Sequence, residues 1–299
     1  MKLFTITGLF IILATITGCD YFGPCIDGSG PVVTEEREIK GFSGVNNTGS
    51  FDVFIQPAEE FHVEVRAQEN LLPVIETYVS GYTLLIRTKD NKCFRSNSPV
   101  EVHITMPELE VLTLTGSGKI FAESAHTSVF ECTNSGSGQL MIDTVHAHDF
   151  IAGNSGSGLV RVVEVAATDV GFYQSGSGTI DGGVILGATS VKIRHSSSGH
   201  VKSILYGGST VDAVLSGSGR IDLVGNAVMA SYTLNSSGRI DALELMVEDV
   251  EASNTGSGNI WVYATEFLDV VITGSGDVIY RGNPTLNSNI TGSGRLRRY

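Results

Sequence analysis

The sequence predicts an all-β protein: a single-stranded parallel β-helix of about ten 20-residue rungs, preceded by a less regular β region. Three observations carry that reading. A Gly-Ser-Gly corner, as in "TNSGSGQLMID" at 133–143, returns at a nearly constant step until the chain ends. An aliphatic residue follows every corner at one fixed distance. Upstream of the corners, apolar residues recur two apart, which is the spacing of a strand with one buried face.

The first element is an export signal. Lys2 gives a positive start, residues 3–16 are apolar apart from Thr and Gly, and the run ends in Ile16-Thr17-Gly18-Cys19. That stretch is too short and too weakly flanked for a transmembrane helix and fits a cleaved signal peptide over residues 1–18. The small residues before Cys19 resemble the lipobox of bacterial lipoproteins, in which the Cys becomes the lipidated first residue. A lipid there anchors the chain to a bilayer without spanning it, at ~0.8 kcal/mol for each buried methylene. Residues 19–40 then read as a tether, and the outer membrane is the expected location, on a side the sequence does not choose.

Residues 41–108 follow a different pattern. Segments 51–55, 62–67, 83–88 and 100–106 alternate as strands, with "ENLLPVIETYVSGY" between the second and third. The stretch "NNTGSFDVFI" echoes "NSGSGQLMI", so these strands are either degenerate opening rungs or a small sheet that caps the open end. Some cap is required, because a bare β-helix end is an exposed sheet edge.

The regular β-helix is expected over residues 109–299. The last Gly of each corner stands at 118, 138, 158, 178, 199, 219, 238, 258, 276 and 294. Two residues later come Ile120, Leu140, Val160, Ile180, Val201, Ile221, Ile240, Ile260, Val278 and Leu296. A flexible linker has no reason to hold an aliphatic residue at one phase, whereas a stacked core does. A second column holds Phe130, Phe150, Val170, Val191, Val211 and Val250, and a third holds Cys132, Ala152, Phe172, Ile193, Ala213, Tyr232 and Ala252. A unit this short cannot bury its own apolar face, so neighbouring units must stack. Ten rungs ~4.8 Å apart make a rod of roughly 48 Å, expected to be right-handed.

Within the corner, the last Gly never varies, while Ser197 and Ser236 replace the first. The last Gly is therefore the expected holder of a positive φ, where a Cβ clashes. The central Ser is invariant, and ten stacked hydroxyls are expected to donate and accept along one line. Asn134, Asn154, Gln174, His195 and Asn254 form a polar column just upstream, expected to be a second ladder.

The motifs together resemble a bacterial family, the putative auto-transporter adhesin, head GIN domain family. The resemblance rests on the lipobox, "FSGVNNTGSFDVFI", "VEVRAQENLLPVIETYVSGYTLLI", "VEVHITMPELEVLTLTGSG" and the serial corners, and covers about residues 30–299. It implies a β-helical, exported and often lipidated protein of Gram-negative bacteria, with no established catalytic residues to carry over.

Composition narrows the function. The formal charge of −13 becomes −14 once Lys2 is removed, which argues against nucleic acid and against electrostatic adsorption to anionic lipid. Cys25 and Cys93 lie in polar, turn-rich surroundings and are candidates for a disulfide, which an exported protein permits, whereas Cys132 reads as a buried small hydrophobe. A phosphate cradle needs one Gly-rich turn opening a helix, and here each such turn leads into a strand. Glycoside hydrolysis needs paired carboxylates, for which the stacked Asp222 and Asp241 are the best pair, although Arg220 and Arg239 make them equally a solvated face of alternating charge.

Two further constellations remain. His126 and His146 share one phase of adjacent rungs, and His148 follows two residues on, so three imidazoles within reach of one transition metal are weighed against a surface cluster. Trp261 and Tyr263 hold outward positions of one rung, and exposed aromatics on a flat sheet stack on sugars. The expected function is therefore non-catalytic: a cell-envelope lipoprotein that presents a β-helical surface to a glycan or protein partner, with no cofactor. The alternatives are a polysaccharide-acting β-helix enzyme and a purely structural envelope protein.

Overall fold

The computed structural model describes residues 25–299, so the expected signal peptide and the expected lipidation at Cys19 lie outside the described residues. The fold is a parallel β-helix, as the corner repeat requires. Gln139–Asn154 pairs with Leu159–Gln174 in unshifted parallel register, Gln139 on Leu159 through Asn154 on Gln174. Leu140, Ile142, Val145, Phe150 and Ala152 are buried, but the alternation breaks after Ile142 and again after Ala147. Each break is a bend, so the rung has three sides and closes at the Gly-Ser-Gly corner. Like residues then stack inside: Leu140 lies between Ile120 and Val160, and Phe150 meets Phe130 at 6.0 Å and Phe172 at 6.2 Å between ring centroids.

The N-terminal region supplies rungs and a cap together. Gly44–Asn47 and Asp52–Pro57 pair in parallel with Val111–Leu114 and Lys119–His126 on one side. On their other side they pair in parallel with Thr83–Thr88 and Glu101–Met106. Spatial order thus departs from chain order, because the 83–106 rung lies outside the 44–57 rung, which lies outside the first regular one. The chain returns past the 44–57 rung through residues 107–110, where Glu110 N–H donates to the Ser43 carbonyl at 2.8 Å and the Ser43 hydroxyl to Glu110 Oε2 at 2.5 Å.

The cap runs against the rung direction. His62–Gln68 is antiparallel to Glu101–Met106, Val32–Glu36 is antiparallel to His62–Gln68, and Ile75–Ser80 is antiparallel to Thr83–Thr88. The short helix Glu69–Val74 inserts Leu71 and Leu72 as buried side chains. The tether expected through residue 40 is therefore too long, since Val32–Glu36 already belongs to the cap sheet. Cys25 and Cys93 are joined by a disulfide, and the adjoining Ile26–Asp27 and Phe94–Arg95 pair in parallel. Cys132 is a free, buried thiol, and burial, with the Glu131 carboxylate beside it, pushes its pKa up.

The corner works differently from the sequence expectation. None of the ten last glycines has a positive φ. What excludes a side chain is the rung beneath. A Cβ on Gly138 meets the Gly118 carbonyl oxygen at 2.0 Å, and one on Gly258 meets that of Gly238 at 1.9 Å. The position equivalent to the last Gly in "NNTGSFDVFI" is Phe51, whose ring is fully buried and stacks on Phe94 at 5.9 Å. No Gly-Ser-Gly corner lies beneath it, so a side chain fits.

The serine line is also sparser than expected. Among the described residues its hydroxyl contacts are Ser177 to Ser198 at 3.4 Å and Ser237 to Ser218 at 3.5 Å. The corner's polar groups are satisfied instead by the buried column. Asn134 Nδ2 donates to the Gly138 carbonyl at 3.0 Å, while its Oδ1 accepts from Gly136 N–H at 3.0 Å. Asn47, Asn154 and Asn254 repeat both contacts.

His195 occupies the same column in neutral form, with Nε2 2.7 Å from the Gly199 carbonyl and Nδ1 accepting from Ser197 N–H at 3.3 Å. Burial lowers its pKa below the ordinary 6.5, against the backbone hydrogen bonds of Gly199 and Gln174. A histidine whose folded pKa is depressed contributes stability that is intact above its unfolded pKa and is lost as pH falls from there through the folded value. The melting temperature of the native chain is therefore expected to drop more between pH 7 and pH 5 than that of His195→Asn, which restores the column's usual residue. Parallel pH curves for the two proteins would refute this role.

Candidate functional site

One outward column runs the length of the rod on the side that follows the corners. Register places His103, Phe54, Phe121 and Met141 one above another at the capped end. Arg161, Asp181, Lys202, Asp222 and Asp241 continue it, and Trp261 follows. Strand alternation fixes this, since each of these residues is flanked in sequence by inward aliphatic or small ones.

The middle of the column is an ion-pair ladder. Arg161 Nε donates to Asp181 Oδ2 at 3.0 Å, and Lys202 Nζ approaches the same oxygen at 3.1 Å. His200 Nε2 lies 2.8 Å from Asp222, which Arg220 also holds. Arg220 reaches Asp241 at 3.5 Å, and Arg239 pairs with Asp241 at 2.5 Å. Burial raises the pKa of Asp222, but the hydrogen bonds and charges of His200 and Arg220 outweigh it and hold the carboxyl below its ordinary value. Asp222 and Asp241 are thus brought together by register, each bound to cations.

Trp261 and Tyr263 point outward and are half-exposed. Each carries a guanidinium on one ring face: Arg239 at 3.8 Å from the Trp261 centroid, and Arg281 at 4.9 Å from that of Tyr263. Such stacking holds a ring in place and leaves its opposite face to other contacts. Asp222, Asp241, Arg220, Arg239 and Trp261 together line a groove of about 420 Å³.

The three histidines do not converge. His126 and His146 stack with ring centroids 4.7 Å apart and planes 9° apart. His148 leaves with the next side of the rung, because the chain bends after Ala147, and its Nδ1 lies 3.0 Å from Asp149 Oδ1. It joins Asp149 and Asp169, the ligating atoms of the three lying within 4.8 Å of one another. The three-imidazole set weighed from the sequence is not assembled; His126 and His146 form an imidazole pair, beside a largely exposed His148-Asp149-Asp169 group.

A further feature sits at the capped end. Phe54 stacks on His103 at 5.0 Å and on Phe121 at 6.1 Å, and the three rings border a cleft of about 560 Å³. His62, Thr105, Glu123 and Asp143 complete its walls.

The sequence matches the family described as "Putative auto-transporter adhesin, head GIN domain" over residues 41–227 and 187–284. The chain belongs to this family. No functionally curated protein matches it. Among solved structures, this head GIN domain chain is similar to a putative adhesin from Parabacteroides distasonis ATCC 8503, at 19% identity and a TM-score of 0.57. The match covers 92% of this chain and 100% of that one. A putative lipid binding protein from the same organism matches at 24% identity and a TM-score of 0.56, again over 92% and 100%. A putative adhesin from Parabacteroides merdae ATCC 43184 matches at 17% identity and a TM-score of 0.52, over 93% and 100%. At such identities the likeness is one of fold.

The aromatic stack of this head GIN domain chain is missing from the sequence reading, although half of its signal was present. Phe54 lies three residues after Phe51 and Phe121 three after Gly118, one phase of two equivalent rungs. His103 carried no such signal, because its rung is out of chain order and lacks the corner.

Proposed function

We propose that this head GIN domain chain is a non-catalytic, lipid-anchored protein of the cell envelope that adheres to a glycan through its outward sheet surface. The observation that carries the reading is the outward column, in which partly exposed rings flank a ladder of mutually paired charges. Family membership supports an adhesive role at the cell envelope. The state of the carboxylates supports the absence of catalysis. Glycoside hydrolysis requires one carboxyl kept protonated at working pH beside an ionised one. Asp222 is instead held in its ionised form by His200 and Arg220, and Asp241 is paired with Arg220 and Arg239.

Trp261 and Tyr263 are the wagered sugar contacts, each through the ring face its arginine leaves open. A glycan array probed with the native chain and with Trp261→Ala tests this. Binding is expected to drop in the variant, and unchanged binding to the same glycans would reject this pair as the contact. The lipid at Cys19 is tested separately. Cys19→Ser is expected to move the protein from the membrane fraction to the soluble one, and a variant still sedimenting with membranes would contradict the anchor.

A further inference from the structure

Beside the corners of the central rungs runs a shallow trough of about 450 Å³. Ser198, Ser218 and Ser237 form one wall, and His200, Arg220 and Arg239 the other, with corner glycines between them. Register places His200 on Arg220 and Arg220 on Arg239, one rung apart each time. Every side chain that lines the trough is a hydroxyl, an imidazole or a guanidinium, and no carboxylate does. Asp222 and Asp241 line the neighbouring groove with Trp261 instead.

The cations of this region are held by carboxylates outside it: Arg220 and Arg239 line the trough while their partners Asp222 and Asp241 line the neighbouring groove, so the trough wall carries guanidinium groups and no carboxylate in a protein of formal charge −13. A guanidinium offers five N–H donors in a fixed fork suited to carboxylates, more than Asp222 and Asp241 consume. The hydroxyls on the opposite wall meet each other only at 3.4 and 3.5 Å, at the outer limit of a hydrogen bond. A row of donors repeating every ~4.8 Å is matched by a ligand that itself repeats.

We propose that this trough binds an acidic polysaccharide lengthwise, its carboxylates lying along the His200, Arg220 and Arg239 row and its hydroxyls against the serines. The inference rests on the reading of the chain as a glycan-binding adhesion module and supplies that reading with a ligand class. A polymer is favoured over a free acid because successive rungs engage it as linked sites, raising effective concentration. Duplex nucleic acid carries a charge about every 1.7 Å, and the acidic surface outside the trough repels it.

The test uses the mature chain with polygalacturonate, monomeric galacturonate, neutral dextran and a DNA duplex as probes. Polygalacturonate is expected to bind at least about 100-fold more tightly than the monomer, and more weakly as salt rises. Arg220→Gln combined with Arg239→Gln is expected to weaken it about tenfold or more and to flatten the salt dependence. Because those changes also break ion pairs, Ser218→Ala with Ser237→Ala serves as a second variant that breaks none, with an expected loss of about threefold or more. Unchanged affinity in both variants would overturn the trough, as would DNA binding as tightly as polygalacturonate. Failure to bind polygalacturonate alongside Trp261-dependent binding of a neutral glycan would reject the trough and keep the adhesion reading. Binding of no glycan at all would reject both.

Discussion

Gly219→Ser is expected to unfold the central rungs at temperatures where Gly217→Ser stays folded. Neither glycine has a positive φ, so the difference lies in what a new side chain meets. A Cβ on Gly219 falls 2.3 Å from His195 Nε2 and 2.4 Å from the Gly199 carbonyl oxygen, inside a corner that His195 already fills. The rung must separate from its neighbour, a loss of more than ~4 kcal/mol in the range of severe core mutations.

A Cβ on Gly217 also meets a carbonyl, that of Ser197 at 2.1 Å. Its column shows how that contact is accommodated. Ser236 donates its hydroxyl to the Gly217 carbonyl at 2.6 Å, and Ser197 donates likewise to Gly176. A serine at 217 gains the same hydrogen bond, worth about 1 kcal/mol, so the net loss is expected to stay near ~1–2 kcal/mol. Thermal denaturation of both variants measures the contrast. Equal melting temperatures would mean that contact with the rung beneath is not what keeps the last column glycine.

Ile221→Ala and Ile240→Ala are each expected to destabilise the chain by ~2–5 kcal/mol. Both side chains are fully buried and stack directly on one another. They share a contact, so the double variant should depart from the sum of the single ones. In a stacked repeat array, stability is approximately a sum of unit and interface terms. Loss of both should therefore weaken coupling between the rungs on either side and broaden the urea transition or split it in two. A double variant that unfolds in one sharp step, at the sum of the two single effects, would show that these rungs do not couple through the pair.

The parts of the fold that were legible in the sequence are those governed by one-dimensional repetition. Ile120 through Leu296 keep one phase after the corner because each stacks on the same residue of the next rung. The disposition of the N-terminal strands was not legible. Pairing of Gly44–Asn47 with both Thr83–Thr88 and Val111–Leu114 depends on a rung that is spatially out of order, which no periodicity signals.

The corner was placed correctly and its cause was not. Invariance of the last Gly looks the same whether φ or an adjacent carbonyl forbids a side chain. Phe51 in the equivalent position was the residue that distinguished the two. The site was legible in its residues more than in its contacts. Stacking of Asp222 with Asp241 and of His126 with His146 follows from phase. The divergence of His148 depends on a bend, and Arg239 on Trp261 depends on a long side chain reaching between columns, neither of which spacing encodes, whereas Arg281 lies in register with Tyr263 on the next rung.

The most direct test of a non-catalytic adhesion surface is a reducing-sugar assay on the preparation used for glycan binding. The purified mature chain is incubated with whichever polymer it binds, in parallel with Asp222→Asn and Trp261→Ala. The expected result is no increase in reducing ends for any of the three proteins. Release of reducing ends by the native chain, abolished in Asp222→Asn, would contradict it and make the paired carboxylates an active site.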